Sequence, residues 1–344
     1  MKKLPLWALF AIALAAGILI QVVIQLGVLN AYLALVLSYM CIMILSSLGL
    51  SIIYGLTGQF SLGHAAFMGL GAYSAAIFTH YVGSSNGTVA PWAFFLALVA
   101  GGAFAAAVGY LIGLPILRLR SDYLGIATLG FGIIVRVVLE NSDKVIPITC
   151  GARGMTGIKS PDFIFLWAFV VLLVGIIVAR NLRFSSPGRA CLAIREDETA
   201  ANLMGVDVTR YKTIAFVLGC AYAGVAGALY AHAYVFLHPM SFDFIKSFDP
   251  LLIVVLGGLG SLSGTIVAGA GWVAILEGLR MLLSGDLAQY LEWRYVIYPV
   301  VLIIMMILRP QGIFGTSELA FLKPEEPEDK PLSAGRVEAD GAHS

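Results

Sequence analysis

From residue 4 to about 309 the chain is a succession of long apolar runs separated by short polar gaps. The runs fall near 4–27, 31–53, 64–83, 91–117, 123–140, 163–180, 212–236, 247–259, 262–283 and 295–309. Several approach or exceed the ~20 residues that carry a helix across a ~30 Å hydrocarbon layer. No train of alternating ten-residue strands suggests a membrane barrel. Backbone exposed to lipid must bond within its own segment, so such runs are helical. The pattern predicts an all-α polytopic membrane protein with about ten (8–10) transmembrane helices.

One interval breaks the apolar pattern. Residues 185–212, SSPGRACLAIREDETAANLMGVDVTRYK, are dense in mixed charge and good helix formers. Ser186 before Pro187 predicts a capped helix start with proline at the first helical position. Gly205 predicts its end, and Asp207 predicts the cap of a second helix that re-enters the membrane. The expected product is one short helix, a glycine turn and a climbing helix, with a polar segment over about 185–211. Ala200, Ala201 and Gly205 offer a small-residue surface, rimmed by Arg195, Glu196, Asp197 and Glu198.

Two other stretches echo each other. GQFSLGHAAFMGLGAY (58–73) and GLGSLSGTIVAGAGWV (258–273) share Gly58/Gly258, Ser61/Ser261, Leu62/Leu262, Gly69/Gly269 and Gly71/Gly271. Two readings stand: coincidence in a Gly- and Ala-rich chain, or a structural repeat that sets two interrupted helices around a central path.

Composition agrees with the pattern. Hydrophobic residues make up 60% and charged residues 12% of the 344 positions, against about 25% charged in soluble domains. The net charge of +1 is silent on nucleic acid, and none is expected as a partner. Cys41, Cys150, Cys191 and Cys220 lack paired or metal-ligand spacing. Basic residues orient the chain by the positive-inside rule. Lys2, Lys3, Arg118, Arg120, the cluster from Arg180 to Lys212, and Arg309 all predict inner ends, so both termini are expected in the cytosol. Lys144, Arg153 and Lys159 make the asymmetry imperfect. Residues 322–344 are Pro-rich and charged and are expected to be disordered, leaving 1–321 as the membrane domain.

Chemistry is sparse. There is no G-x-x-x-x-G-K-[ST], no H-E-x-x-H and no metal spacing, so neither an enzyme nor a cofactor is expected, and energy must come from a partner. Ionisable residues at membrane depth are the remaining leads. Arg136 and Glu140 are four apart and can pair on one helix face, either as a structural pair or as a polar element of the outer mouth. Glu277 and Arg280 form a similar pair. Gln59, Ser61 and His64 follow the first Gly/Ser break, and Ser261 the second; each is a packing residue or a lining residue of a path. Arg153, in TCGARGMTG, belongs to an external contact surface or to a flexible loop.

The polar interval resembles the coupling helix of ABC importer permeases, Glu-Ala-Ala followed by three residues and Gly. Here it reads Thr199-Ala200-Ala201, then Gly205 and Ile214; threonine replaces the glutamate and the later Leu-Pro is absent. GLTGQFSLGHAAFMGLGAYSAA, RSDYLGIATLGFG, GARGMTGI, the 185–230 stretch and VVLGGLGSLSGTIVAGA follow in order across about 40–310. Together they resemble the branched-chain amino acid ABC permease family, LivM-type subunit. The resemblance implies a vitamin-B12-importer-like ABC permease fold with interrupted helices, in a bacterial inner membrane. It implies a second, LivH-type permease, two cytosolic ATP-binding subunits, and a periplasmic or lipid-anchored binding protein. It also implies coupling to the ATPases through Arg189, Ile194, Arg195, Glu196, Asp197, Ala200, Ala201, Met204 and Gly205. The implied cargo is a branched-chain or similar apolar amino acid. A urea or sugar permease, or a stand-alone secondary transporter, remains the alternative.

Overall fold

A computed structural model describes residues 6–82, 84–85, 88–117 and 121–282, and further along Val300, Ile303, Ile304, Ile307, 312–315, Glu318 and Leu319. The expected tail at 322–344 and the orienting residues Lys2, Lys3, Arg118, Arg120 and Arg309 lie outside the described residues. The expected span at 295–309 is described only at four positions.

The helices are α1 (Leu6–Gln25), α2 (Ala31–Leu50), α3 (His64–Val82), α4 (Pro91–Ile116), α5 (Ser121–Glu140), α6 (Ile164–Phe184), α7 (Ser186–Glu196), α8 (Glu198–Leu203), α9 (Val208–Tyr234), α10 (Phe248–Gly257) and α11 (Leu262–Leu282). Among the described residues five helices are long and apolar enough to cross a membrane: Ala31–Leu56, Pro91–Ile116, Tyr123–Glu140, Ile164–Phe184 and Val208–Tyr234. Shorter apolar stretches lie in α1 and α11. The protein is an all-α, multi-pass membrane protein.

Two expected spans differ from a simple crossing. The run at 247–259 yields only the ten residues of α10, about 15 Å of helix and half a bilayer core. It is reached through two 3₁₀ turns, Pro239–Phe242 and Phe244–Ser247. These turns run down α3: Phe242 packs against Gly69, and the Ala65 N–H donates to Ser247 Oγ at 3.0 Å. Pro239, Phe242 and Ser247 are buried along this path, whereas Met240 and Ile245 are exposed. The run at 64–83 forms α3, which is buried in the bundle and is not among the five strongly apolar helices.

The centre of the molecule is α3, α4 and α9. Lipid supplies no hydrophobic force between helices, so close van der Waals approach by small residues holds them. Gly71 and Gly224 face each other where α3 crosses α9; a Cβ on Gly71 would lie 2.1 Å from the Gly224 carbonyl oxygen. Around this contact Phe67, Phe94 and Phe216 are fully buried.

Candidate functional site: the polar arm and the two helix breaks

At the basic end of the bundle, α6 delivers the chain into the polar arm. Ser185, not Ser186, caps α7: its hydroxyl accepts from Gly188 N–H, which moves Pro187 to the second helical position. The expected single helix is two. Asp197 adopts extended backbone (φ −155°, ψ 110°) and accepts from Thr199 and Ala200 N–H at 2.8 and 3.0 Å, starting α8. Gly205 closes α8 at φ +85°, with Val206 N–H donating to Ala201, as a left-handed helix end requires. Asp207 caps α9 by accepting from Arg210 N–H.

The expected docking surface divides. Ala200, Met204 and Gly205 are exposed, whereas Ala201 is buried within the chain. Leu203 stands beside Met204, 83% and 84% exposed; no motif pointed to Leu203. Arg189 and Glu196 are also exposed, Arg189 donating to the Phe184 carbonyl and Ser186 Oγ. Ile194 and Cys191 face inward, and burial pushes the Cys191 thiol up to about 11.

Beneath the arm lie both predicted breaks. α2 continues as a π-helical turn, Ser51–Leu56, a form that recurs at functional sites. It ends at Gly58 (φ +71°), and α3 restarts at His64. α10 stops at Gly257; Gly258 and Gly260 have φ of +109° and +84° before α11. The two breaks touch through backbone: a Cβ on Gly55 would come within 2.9 Å of the Gly260 nitrogen. Arg195, on α7, reaches both. Its Nη1 donates to the Gly55 carbonyl at 2.8 Å and toward the Leu259 carbonyl at 3.4 Å.

Ile313, Phe314 and Glu318 splint the second break. Ile313 and Phe314 N–H groups donate to the Leu256 and Gly257 carbonyls at the end of α10. Glu318 accepts from Leu262 N–H at 2.7 Å, Ser263 N–H at 3.0 Å and the Ser263 hydroxyl, and pairs with Arg183 at 3.0 Å. Ser261 accepts from Gly264 N–H, as the cap of α11. At the first break, His64 Nε2 lies 2.9 Å from the Ser46 carbonyl. Gln59 and Ser61 are buried, and neither the Gln59 amide nor the Ser61 hydroxyl has a protein partner among the described residues.

The opposite end holds a second charge cluster. Arg136 Nε donates to Glu140 at 2.9 Å, the predicted pair, and Nη1 donates to Asp243 at 3.0 Å. The 149–157 stretch takes in the end of one 3₁₀ turn, Pro147–Thr149, and all of a second, Gly151–Arg153, and is pinned to the segment after α9 by paired Met155–Leu237 hydrogen bonds. Arg153 is exposed on it. Glu277 accepts from the Tyr32 hydroxyl; the Arg280 side chain lies outside the described residues.

Residues 32–306 match the family described as branched-chain amino acid transport system / permease component. The chain belongs to that family. The permease is 35% identical over 305 residues to the high-affinity branched-chain amino acid transport system permease protein LivM of Salmonella typhimurium, covering 79% of this chain and 67% of the relative. It is 26% identical over 292 residues to LivH of the same organism (80% and 92%). It is 26% identical over 289 residues to BraD of Pseudomonas aeruginosa, with the same shares covered. No solved structure was found to match the permease. Family membership makes it a permease component of a transport system.

Within this permease, one end gathers Gln59, Ser61, His64, Ser261, Ile194 and Arg195 around the breaks. Arg136, Glu140 and Arg153 sit apart from them at the other end. Sequence reasoning missed Asp243, Lys212 (which pairs with Glu198 at 2.5 Å) and Glu318. Local spacing offered no signal for Asp243 or Glu318, whose partners are far away in sequence. Lys212 and Glu198 both lie in the polar interval, which was the available clue.

Proposed function

We propose that this permease carries branched-chain amino acids into the cell as half of a translocating pair, driven by ATPase subunits that dock on α8. A LivH-type permease is the other half, and a periplasmic or lipid-anchored binding protein delivers the cargo. Both permease types are among the relatives, which supports that pairing. The arm faces the cytosol of an inner membrane with both termini inside; the excess of arginine on 180–212 supports this orientation. About ten spans in a vitamin-B12-importer-like arrangement complete the reading, with 1–321 as the membrane domain, 322–344 as the tail, and no ATP site or cofactor in this chain.

The observation that carries the reading is the arm itself. Its tip presents Leu203 and Met204 to solvent, and its base holds the carbonyls of both helix breaks through Arg195. A side-chain pair this apolar at a polar end suits a partner groove. Its motion is passed to α2 and α10, and alternating access follows as packed helices tilt. Replacing both residues, Leu203→Asp with Met204→Asp, tests this. The variant is expected at normal membrane abundance, without co-purifying ATPase subunits and without uptake. Retention of both would overturn the docking. Uptake by the permease alone, with no ATPase subunit attached, would instead favour a secondary transporter.

A further inference from the structure

Between the arm and the first break lies a cavity of about 200 Å³, several times the ~30 Å³ share of one liquid water. Gln59 lines it. That side chain is 2% exposed, and neither its carbonyl oxygen nor its amide nitrogen has a partner among the described residues. Leaving a buried polar group unpaired forfeits its hydration with nothing in return, so a fold that retains one calls for an explanation. The other polar walls are Thr57, whose hydroxyl donates to the Ile53 carbonyl, Arg195 on α7, and the Lys212–Glu198 ion pair that joins α9 to α8 at 2.5 Å. Leu117, Leu124 and Ile194 supply an apolar wall, each nearly fully buried.

This set is complementary to one chemistry. A carboxylate is met by the Arg195 guanidinium, whose Nη1 alone is used on the break, and by the Gln59 amide N–H; an ammonium by the Glu198 oxygen that Lys212 does not hold and by the Gln59 carbonyl; an aliphatic side chain by the leucines and isoleucine. We infer that the cavity is a binding site for a zwitterionic aliphatic amino acid arriving from the arm side, where its occupancy holds the arm against the break and slows further import. Arg195 belongs both to this cavity and to the bond that joins arm and break, so a ligand there acts directly on the coupling. The site rests on the proposed transport function and adds product feedback to it.

The test uses the assembled transporter in vesicles with ATP inside, the binding protein and labelled leucine outside, and unlabelled leucine preloaded at rising millimolar concentration. Wild-type initial uptake is expected to fall about fivefold or more, and preloaded lysine at equal concentration to leave it unchanged. For Gln59→Leu and for Leu124→Phe, which fills the cavity, the ratio of loaded to unloaded rate is expected to stay near unity whatever the unloaded rate. Equilibrium binding of leucine to the purified complex without binding protein is expected to saturate in wild type and to vanish in Gln59→Leu. Wild-type uptake indifferent to preloaded leucine, or a Gln59→Leu variant inhibited by the same factor, overturns the site. If unloaded vesicles import no branched-chain amino acid, the transport reading fails separately, and the binding measurement still decides the cavity.

Discussion

Glu318 has more to do than any other single side chain described. One buried carboxylate caps the first turn of α11, accepts the Ser263 hydroxyl and neutralises Arg183, whose own side chain is 11% exposed. Breaking a buried pair by removing one partner costs roughly 3–5 kcal/mol, because the other charge remains. Glu318→Ala is therefore expected to lower the thermal midpoint of the detergent-solubilised permease well below that of any single exposed-charge variant. Adding Arg183→Met is expected to recover part of the loss, and a purely additive pair of effects would contradict the ion pair. Residue-scale legibility was uneven for a physical reason. Arg136–Glu140 could be read because one helix turn fixes the spacing. Asp243 on Arg136, the carbonyls on Arg195 and the whole of Glu318 depend on folding, and no local rule reaches them.

At the scale of elements, the arm shows what propensity hides. RACLAIREDETAANLM is rich in helix formers throughout, so it reads as one rod. The strong preference of aspartate for a cap position divides it at Asp197. Asp197→Ala is expected to cost α8 roughly 1 kcal/mol and to speed amide exchange in 198–204, while exchange in the first turns of α9, capped by Asp207, stays unchanged. Equal protection of α8 in both proteins would show that the cap is idle. The glycine echo at an offset of 200 was legible as two breaks, and the structure places both. What the sequence could not show is that they meet backbone to backbone at Gly55 and Gly260. The half-length of α10 was hidden too, since apolar content alone does not say where a helix gives way to 3₁₀ turns.

For the whole molecule, membrane class and helical character were plain from periodicity and charge, whereas the number of crossings was not. Interior helices such as α3 carry Gly, Ala, His and Tyr for close packing and so read as less apolar than lipid-facing ones. If arm movement is the input stroke, it must lift α7 from the body, and Cys191 reports it. A thiol buried beneath α7 with its pKa pushed up to about 11 presents little thiolate. In a Cys150→Ser background, maleimide labelling of Cys191 in the assembled transporter is expected to be slow at rest and to rise several-fold during ATP turnover. Labelling unchanged by turnover would mean the arm stays seated. The Arg183–Glu318 joint also has a consequence in time. Glu318 leaves the ribosome after α6 and α11 have been made, so until then the Arg183 guanidinium and the first N–H groups of α11, those of Leu262 and Ser263, wait without their carboxylate at the arm end of the bundle. That seam is sewn last, early chain to late chain. A polypeptide released before residue 318 carries it open, and completeness of synthesis is thereby written into how firmly the protein holds together.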